Sequence, residues 1–172
     1  MAMELVSPSA DFLKDFEDAL HELHATNGLA FWHELGPPAS VEEYIRIRLD
    51  HAESKNLPEG WVASTTFWLV EDGELIGETV VRHELTDHLR NIGGQIGYWI
   101  RPSKRNKGYG RLILQMALQK AKALGLEKIV ITCDENNIGS RKIIEFNGGV
   151  FERCQDMGLF APPKMLFWID IP

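Results

Sequence analysis

The stretch that decides the fold consists of two runs separated by four residues, Ile96-Gly97-Tyr98-Trp99-Ile100 and Arg105-Asn106-Lys107-Gly108-Tyr109-Gly110. The first run is apolar and typical of a strand, and the residues after Gly110 have the pattern of a helix. A strand, a glycine-containing turn and a helix start bring unpaired backbone N–H groups together, where the helix dipole favours an anion. Positive charge is added by Arg105, Lys107 and Arg111. The turn therefore predicts a pyrophosphate site.

The spacing of this turn excludes the two common nucleotide-binding fingerprints. It has the form Arg-x-x-Gly-x-Gly, whereas a Walker loop needs Gly-x-x-x-x-Gly-Lys-Ser/Thr and a dinucleotide-binding turn needs Gly-x-Gly-x-x-Gly. Taken alone, six residues are also compatible with an ordinary strand-to-helix connection carrying solvated basic side chains.

The wider segment from Gly94 to Gly149 resembles the GNAT family of acyl-CoA-dependent N-acyltransferases. Three parts match in order: Ile96 to Ile100 with Arg101-Pro102 is similar to the family's fourth strand, Arg105-x-x-Gly108-x-Gly110 to its pyrophosphate loop, and Asn137-x-x-Ser140 with Ile143, Glu145 and Gly148 to its late helix. A looser similarity, through Arg82-His83 and Gly97-Tyr98-x-Ile100-Arg101-Pro102-Ser103, is to uncharacterised bacterial members without a known acceptor.

The chain predicts a single domain over residues 1–172 with the element order β-α-α-β-β-β-α-β-α-β-β. This order places a helix over Ser9 to about Ala25, a polar loop over Thr86 to Gly93 and the fourth strand over Gly94 to Ile100. The resemblance implies an α/β fold with a mixed, mostly antiparallel central sheet flanked by helices. It further implies that strands four and five splay apart to admit pantetheine.

Acetyl-CoA is the cosubstrate that the resemblance implies. The loop would hold its pyrophosphate, the backbone of the fourth strand would pair with pantetheine, and the late helix would flank it. The residues expected to bind it are Trp99, Ile100, Arg105, Asn106, Lys107, Gly108, Tyr109, Gly110, Arg111, Asn137 and Ser140. Asn137 and Ser140 are equally compatible with helix capping.

Acyl transfer to an amine also needs an oxyanion donor, a base and a proton for the leaving thiolate. The backbone N–H of Ile100 is the expected oxyanion donor. Family members often carry an acid early in the fourth strand and a Tyr before Glu145, but this chain has Gln95 and Ile144 there. Candidate bases are His83, Asp134, Glu84, His88 and Glu135, with His83 and Asp134 preferred. Candidate acids are Tyr98 and Tyr109, and solvent could serve in either role.

Composition excludes several function classes. A net charge of −7 over 172 residues argues against general nucleic-acid binding. No run approaches the ~18 apolar residues that span a bilayer, and the N-terminus lacks the pattern of a secretory signal. Two cysteines imply no disulfide framework, and no His spacing suggests a metal site. We expect a cytoplasmic protein without metal.

The acceptor is expected to be a small-molecule or peptide amine. The segment from His24 to Ser40, with Phe31, Trp32, His33 and Glu34, is where we expect acceptor specificity. The closing strands carry apolar residues that could form a homodimer interface or belong to the core: Phe151, Phe160, Leu166, Phe167 and Trp168. The main reading is an N-acetyltransferase; the alternative is a non-catalytic acyl-CoA-binding sensor or partner module.

Overall fold

The structure, a computed structural model, describes residues 3–26 and 40–171. The predicted element order is confirmed. The strands are β1 (Met3–Val6), β2 (Ser64–Glu71), β3 (Glu74–Arg82), β4 (Ile96–Ile100), β5 (Lys128–Asp134), β6 (Val150–Gln155) and β7 (Lys164–Asp170). The α-helices are α1 (Leu13–Ala25), α2 (Val41–Ala52), α3 (Tyr109–Ala123) and α4 (Ile138–Phe146).

Local chemistry explains where the helices begin and end. The Ser40 hydroxyl accepts the Glu43 N–H at 3.1 Å and caps α2. Gly125, at φ 83°, follows the end of α3. A 3₁₀ turn over Ala10–Phe12 precedes α1, which therefore begins at Leu13 rather than at the predicted Ser9.

The segment before β4 differs from its prediction as a polar loop. Leu89–Gly93 forms a π-helical turn that buries Leu89. Gly94 follows it with φ 68° and ψ 170°, a conformation open essentially to glycine alone, so the strand begins at Ile96 rather than at Gly94. The apolar Leu89 and Ile92 among polar neighbours were the signal for a packed turn here.

The strands form two antiparallel sheets, with the orders β1-β2-β3-β4 and β5-β7-β6. No ladder joins β4 to β5. The predicted fold is therefore confirmed, including the splay between the fourth and fifth strands. A helix pair, α1 and α2, packs on one face of the first sheet around Phe16, Tyr44 and Trp68. The other face packs against α3, which also contributes to the core beneath the second sheet.

The two sheets are joined at one end of β4 and β5 only, which we call the closed end. The Gln95 N–H donates to the Val130 carbonyl at 2.8 Å, and the Gln95 side-chain oxygen accepts the Val130 N–H at 3.3 Å. Gln95 is 3% exposed. The chains then diverge toward Ile100 and Asp134, which we call the open end. Gln95 thus stands where a catalytic acid was considered and is a structural bridge.

Candidate active site

A cleft of ≈ 380 Å³ lies at the open end, between β4 and the start of α4. Its walls come from the β4 exit, from the turn after it and from the first residues of α4. They comprise Tyr98, Trp99, Ile100, Arg105, Asn106, Gly110, Asn137, Gly139, Ser140 and Ile143. Seven of the eleven predicted acetyl-CoA-binding residues are therefore brought together around one cleft.

The backbone of Ile100 faces this cleft. The Arg101 N–H donates to the Ile76 carbonyl of β3 at 2.9 Å. Because alternate residues of an antiparallel strand direct their N–H groups to opposite sides, Ile100 directs its own away from β3. The Ile100 carbonyl accepts the Arg105 Nε at 3.1 Å, which agrees with this orientation. The group expected to act as oxyanion donor is thus available to a guest in the cleft.

The turn after β4 has the glycine-containing backbone and the helix start that the sequence predicted, and its role as an anion site stays a prediction. Asn106 and Gly108 have φ of 62° and 89°, and α3 begins at Tyr109. A Cβ placed on Gly110 would lie 2.4 Å from the Ile143 Cδ1 atom of α4. The glycine therefore lets α3 and α4 approach each other closely at the cleft wall.

Four predicted loop residues lie outside the cleft lining. Lys107 and Gly108 are exposed at the tip of the turn. The Tyr109 hydroxyl donates to Glu71 of β2, and the Arg111 guanidinium lies 4.3 Å from the centre of the Phe146 ring. Tyr109 and Arg111 thus have contacts within the protein, whereas the expected contact of Tyr109 with cofactor stays a prediction.

The start of α4 combines capping with cleft lining. The Asn137 side-chain oxygen accepts the Ser140 N–H at 3.0 Å, so Asn137 is the N-cap of α4. The Ser140 hydroxyl lies 2.9 Å from the Tyr98 hydroxyl. Burial raises the pKa of Tyr98, which keeps its proton at neutral pH. This pair bridges the open end from β4 to α4 and places a phenol in the cleft.

The two preferred base candidates lie at opposite ends of the junction. His83 lies beside the closed end. Its ring Nε2 is 2.8 Å from the Thr65 hydroxyl, and its backbone N–H donates to the Ala63 carbonyl. Burial lowers the pKa of His83. Asp134 lies at the open end and forms an ion pair with Lys164 at 2.5 Å. Neither side chain is among those lining the cleft.

Two residues near the cleft that could be suspected of a catalytic role, Ile144 and Cys133, are buried. Ile144 is fully buried in the core under the second sheet, where it has no polar group to offer. Cys133 is also buried, and burial raises the pKa of its thiol to about 11. Cys133 is therefore a small core residue rather than a nucleophile.

A cluster of ion pairs fixes the exit of β4 to α1. The Arg101 guanidinium contacts Glu22 at 2.7 Å and Asp15 at 3.0 Å, and Glu22 also accepts the Ser103 N–H. Burial alone would raise the pKa of Glu22, but the Ser103 N–H and Arg101 together lower it. The acids arrive from a helix more than seventy residues earlier, so sequence spacing gave no signal for them.

A buried carboxylate on β3 was also missed. Glu78 is 1% exposed and accepts hydrogen bonds from Tyr44, Trp68 and Trp99. We call these four residues the Glu78 cluster. Its sequence signal was a charged residue in the middle of an apolar strand, Leu75-Ile76-Gly77-Glu78-Thr79-Val80-Val81.

Other features bear on the remaining predictions. A second cavity of ≈ 230 Å³ lies beside α2 and is lined by residues that include Arg48, Trp61, Arg82 and His88. In the described part of the chain, no group of His, Cys, Asp and Glu is arranged for a metal, and no helix could cross a membrane. The acceptor segment with Phe31, Trp32, His33 and Glu34 lies outside the described residues.

The surface considered for a homodimer divides in two. Leu166 and Phe167 belong to the core, and Trp168 is half-buried. Phe151 and Phe160 are exposed, at 50% and 101%. The homodimer stays a prediction, with a smaller apolar surface than the sequence suggested.

Comparisons with known proteins agree with this architecture. The model of the acetyltransferase (GNAT) domain matches residues 11–150. The ribosomal L7/L12 α-N-protein acetyltransferase RimL, in complex with coenzyme A, is a similar solved structure, with a TM-score of 0.76 and 14% identity over 99% of this chain and 95% of that one. A search of curated proteins gave no significant match.

Two further solved structures share the fold. The Salmonella typhimurium acetyl transferase that modifies the N-terminal serine of ribosomal protein L7/L12 has a TM-score of 0.70 and 16% identity, over 100% of this chain and 96% of that one. The microcin C7 self-immunity acetyltransferase MccE, in complex with acetyl-CoA and AMP, has a TM-score of 0.69 and 15% identity, over 98% of this chain and 92% of that one. The domain match extends over most of the sequence, and the chain belongs to the GNAT family of acetyltransferases.

Proposed function

We propose that the protein transfers an acetyl group from acetyl-CoA to a primary amine of a small-molecule or peptide acceptor by direct transfer. The observation that carries this proposal is the open end of the β4–β5 junction. There the Ile100 N–H, residues of the turn from Arg105 to Gly110 and the start of α4 face one cleft. Solved relatives with coenzyme A or acetyl-CoA bound support the choice of cosubstrate.

In this reaction the amine nitrogen attacks the thioester carbonyl carbon. The new C–N bond forms, the C–S bond breaks, the sulfur leaves as thiolate, and the nitrogen releases a proton. The Ile100 N–H would stabilise the developing oxyanion. Tyr98 would donate a hydrogen bond toward the leaving sulfur, since its raised pKa favours the protonated phenol. Asn106, Lys107, Gly108 and the N-terminus of α3 would hold the pyrophosphate.

For the base, the geometry favours Asp134 over His83, because Asp134 lies at the open end. The Asp134→Asn variant should lower kcat by up to about a hundredfold and leave the Kd for acetyl-CoA unchanged. His83→Gln should change neither quantity by more than about twofold. The reverse order of effects would move the base to His83, and two silent variants would assign proton removal to solvent.

Calorimetric titration with acetyl-CoA, with ATP and NAD as controls, tests the proposed function. Micromolar binding of acetyl-CoA alone supports it and justifies screening amines for thiol release. Absence of acetyl-CoA binding overturns it.

The alternative function is a non-catalytic acyl-CoA sensor. The burial of Ile144 and the bridging role of Gln95 favour it, because both positions lack a proton-transfer group. Tight binding without thiol release across a broad amine panel would support the sensor. Release of the thiol with any amine would eliminate the sensor function.

A further inference from the structure

Three of the four residues of the Glu78 cluster form a row across three strands, and the fourth, Tyr44, comes from α2. Glu78 of β3 lies between Trp68 of β2 and Trp99 of β4, which are its direct cross-strand partners. Cross-strand partners project from the same face of a sheet, so all three side chains lie on the side covered by α1 and α2. Phe16 of α1 stacks on Trp68 at 4.6 Å.

The carboxylate of Glu78 is held entirely by hydrogen bonds. Trp68 Nε1 donates to one oxygen at 2.8 Å, Trp99 Nε1 to the other at 3.3 Å, and the Tyr44 hydroxyl lies 2.7 and 2.8 Å from the two oxygens. Among the described residues, no cation forms an ion pair with Glu78. Burying a carboxylate costs free energy unless donors satisfy it, and three donors converge here.

A neutral side chain of the same size could not make the same contacts. The indole N–H groups of Trp68 and Trp99 only donate, so both need an acceptor. A glutamine has one acceptor oxygen, and its NH₂ group would face the second indole N–H. The buried negative residue therefore fixes both tryptophans at once, which explains a Glu in the middle of an apolar strand.

The two tryptophans differ in their surroundings. Trp68 is fully buried, whereas Trp99 is half-buried and lines the open-end cleft. The backbone of Trp99 is also closely packed: a Cβ on Gly77 would lie 2.3 Å from the Trp99 carbonyl oxygen. Glu78 holds the Trp99 indole by a hydrogen bond, and the missing side chain at Gly77 leaves room for the Trp99 carbonyl. Both residues therefore position Trp99, which lines the cleft.

We propose that Glu78 is a positioning residue for cosubstrate binding, acting through the hydrogen bond from the Trp99 indole. This proposal rests on the function proposed above. Trp99 and Ile100 both line the cleft, and their backbone is expected to pair with pantetheine, so a shift of the Trp99 main chain would weaken cosubstrate binding.

The test is a double-mutant cycle on the Kd for acetyl-CoA. It uses Glu78→Gln, Trp99→Phe and the double variant, with Trp68→Phe as the matched control. Trp99→Phe and Trp68→Phe each remove one indole N–H from Glu78, but only Trp99 lines the cleft. The Tm of each variant is measured beside its Kd, so that a general loss of stability is separated from an effect on the cleft.

We expect Glu78→Gln and Trp99→Phe each to raise the Kd about tenfold, and the double variant to resemble Trp99→Phe alone. Trp68→Phe should lower the Tm and leave the Kd within about twofold. Fully additive effects of Glu78→Gln and Trp99→Phe on the Kd, or an equal rise in the Kd of Trp68→Phe, would overturn the proposal. If Glu78→Gln fails to fold, the comparison of Trp99→Phe with Trp68→Phe decides alone. Failure of the wild type to bind acetyl-CoA would refute the proposed function instead.

Discussion

The two ends of the β4–β5 junction are built from the same pair of strands and differ in what joins them. At the closed end, Gln95 forms hydrogen bonds with both backbone groups of Val130: its N–H donates to the Val130 carbonyl, and its side-chain oxygen accepts the Val130 N–H. The Thr132 hydroxyl donates to the Ile92 carbonyl at 2.8 Å. At the open end, the contact between β4 and α4 is the Tyr98–Ser140 pair, and a cleft separates the strands.

This difference shows that the cleft depends on where strand pairing stops. A continued ladder would fill the gap and bury the Ile100 N–H. A weaker closed end would let the sheets move relative to each other, and the cleft would lose its shape. The closed end should therefore control stability and affinity together, whereas changes at the open end should affect affinity with little cost in stability.

The largest expected effect follows substitution of Gly94 at the closed end. Its φ of 68° and ψ of 170° strain any L residue, and a Cβ would lie 3.2 Å from the Thr132 N. Gly94→Ala should lower the free energy of unfolding by about 3 kcal/mol and weaken acetyl-CoA binding. Denaturant unfolding and calorimetry measure the two quantities.

Gly73 is the matched control for this variant. It has φ 84° in the β2–β3 turn, and no heavy atom lies within 4 Å of the position that a Cβ would occupy. Gly73→Ala should cost about 1 kcal/mol and leave affinity unchanged. Equal costs at the two glycines would mean that the closed end is not a tightly packed joint.

A smaller effect is expected from Gln95→Leu, which removes the side-chain half of the bridge. The buried Val130 N–H would lose its acceptor, which costs about 1–3 kcal/mol. Both Tm and acetyl-CoA affinity should fall. Gln119→Leu, on an exposed position of α3, is the control for the change in side-chain chemistry. A loss of stability without a loss of affinity would separate the bridge from the cleft.

The same comparison explains how much the sequence could predict. The turn from Arg105 to Gly110 and the cap at Asn137 are local, so their residue types and spacing indicated an anion site and a helix start. The roles of Gln95 and Glu78 depend on partners that the fold brings from other strands and helices. The residue type of Gln95 shows that it cannot act as an acid or base. Its contact with Val130 depends on β4 and β5 meeting at this point, which the local sequence does not specify.

At the open end, Gly110→Val should weaken acetyl-CoA binding about tenfold, or about 1.4 kcal/mol, with a smaller change in stability. The added side chain would meet the Ile143 Cδ1 atom, and this neighbour is the tip of a flexible side chain that can shift into the cleft. Calorimetry of the variant measures the loss.

Ile143→Ala in the Gly110→Val background tests the cause. Removing the colliding atoms should restore most of the affinity, because the two changes compensate in volume. Persistent weak binding in the double variant would mean that Gly110 acts through the conformation of the turn, rather than through the approach of α3 to α4.

The smallest expected effect is a pH dependence at the closed end. Burial lowers the pKa of His83 below its ordinary 6.5, and nearby Glu84 opposes this only in part. Below pH 6.5 the unfolded chain binds a proton that folded His83 resists, so the free energy of unfolding should fall as pH drops through that range. His51, whose pKa burial and Arg48 lower, contributes in the same direction.

His83→Gln should therefore flatten, without abolishing, the dependence of stability on pH between about 7 and 5. Urea unfolding at several pH values gives the slope for wild type and variant. The acetyl-CoA affinity at pH 7 should stay the same, because His83 is neutral there and lies away from the cleft lining. An unchanged slope would mean that His83 is solvated in the folded protein, and a lost affinity would mean that the two ends of the junction are coupled through β3.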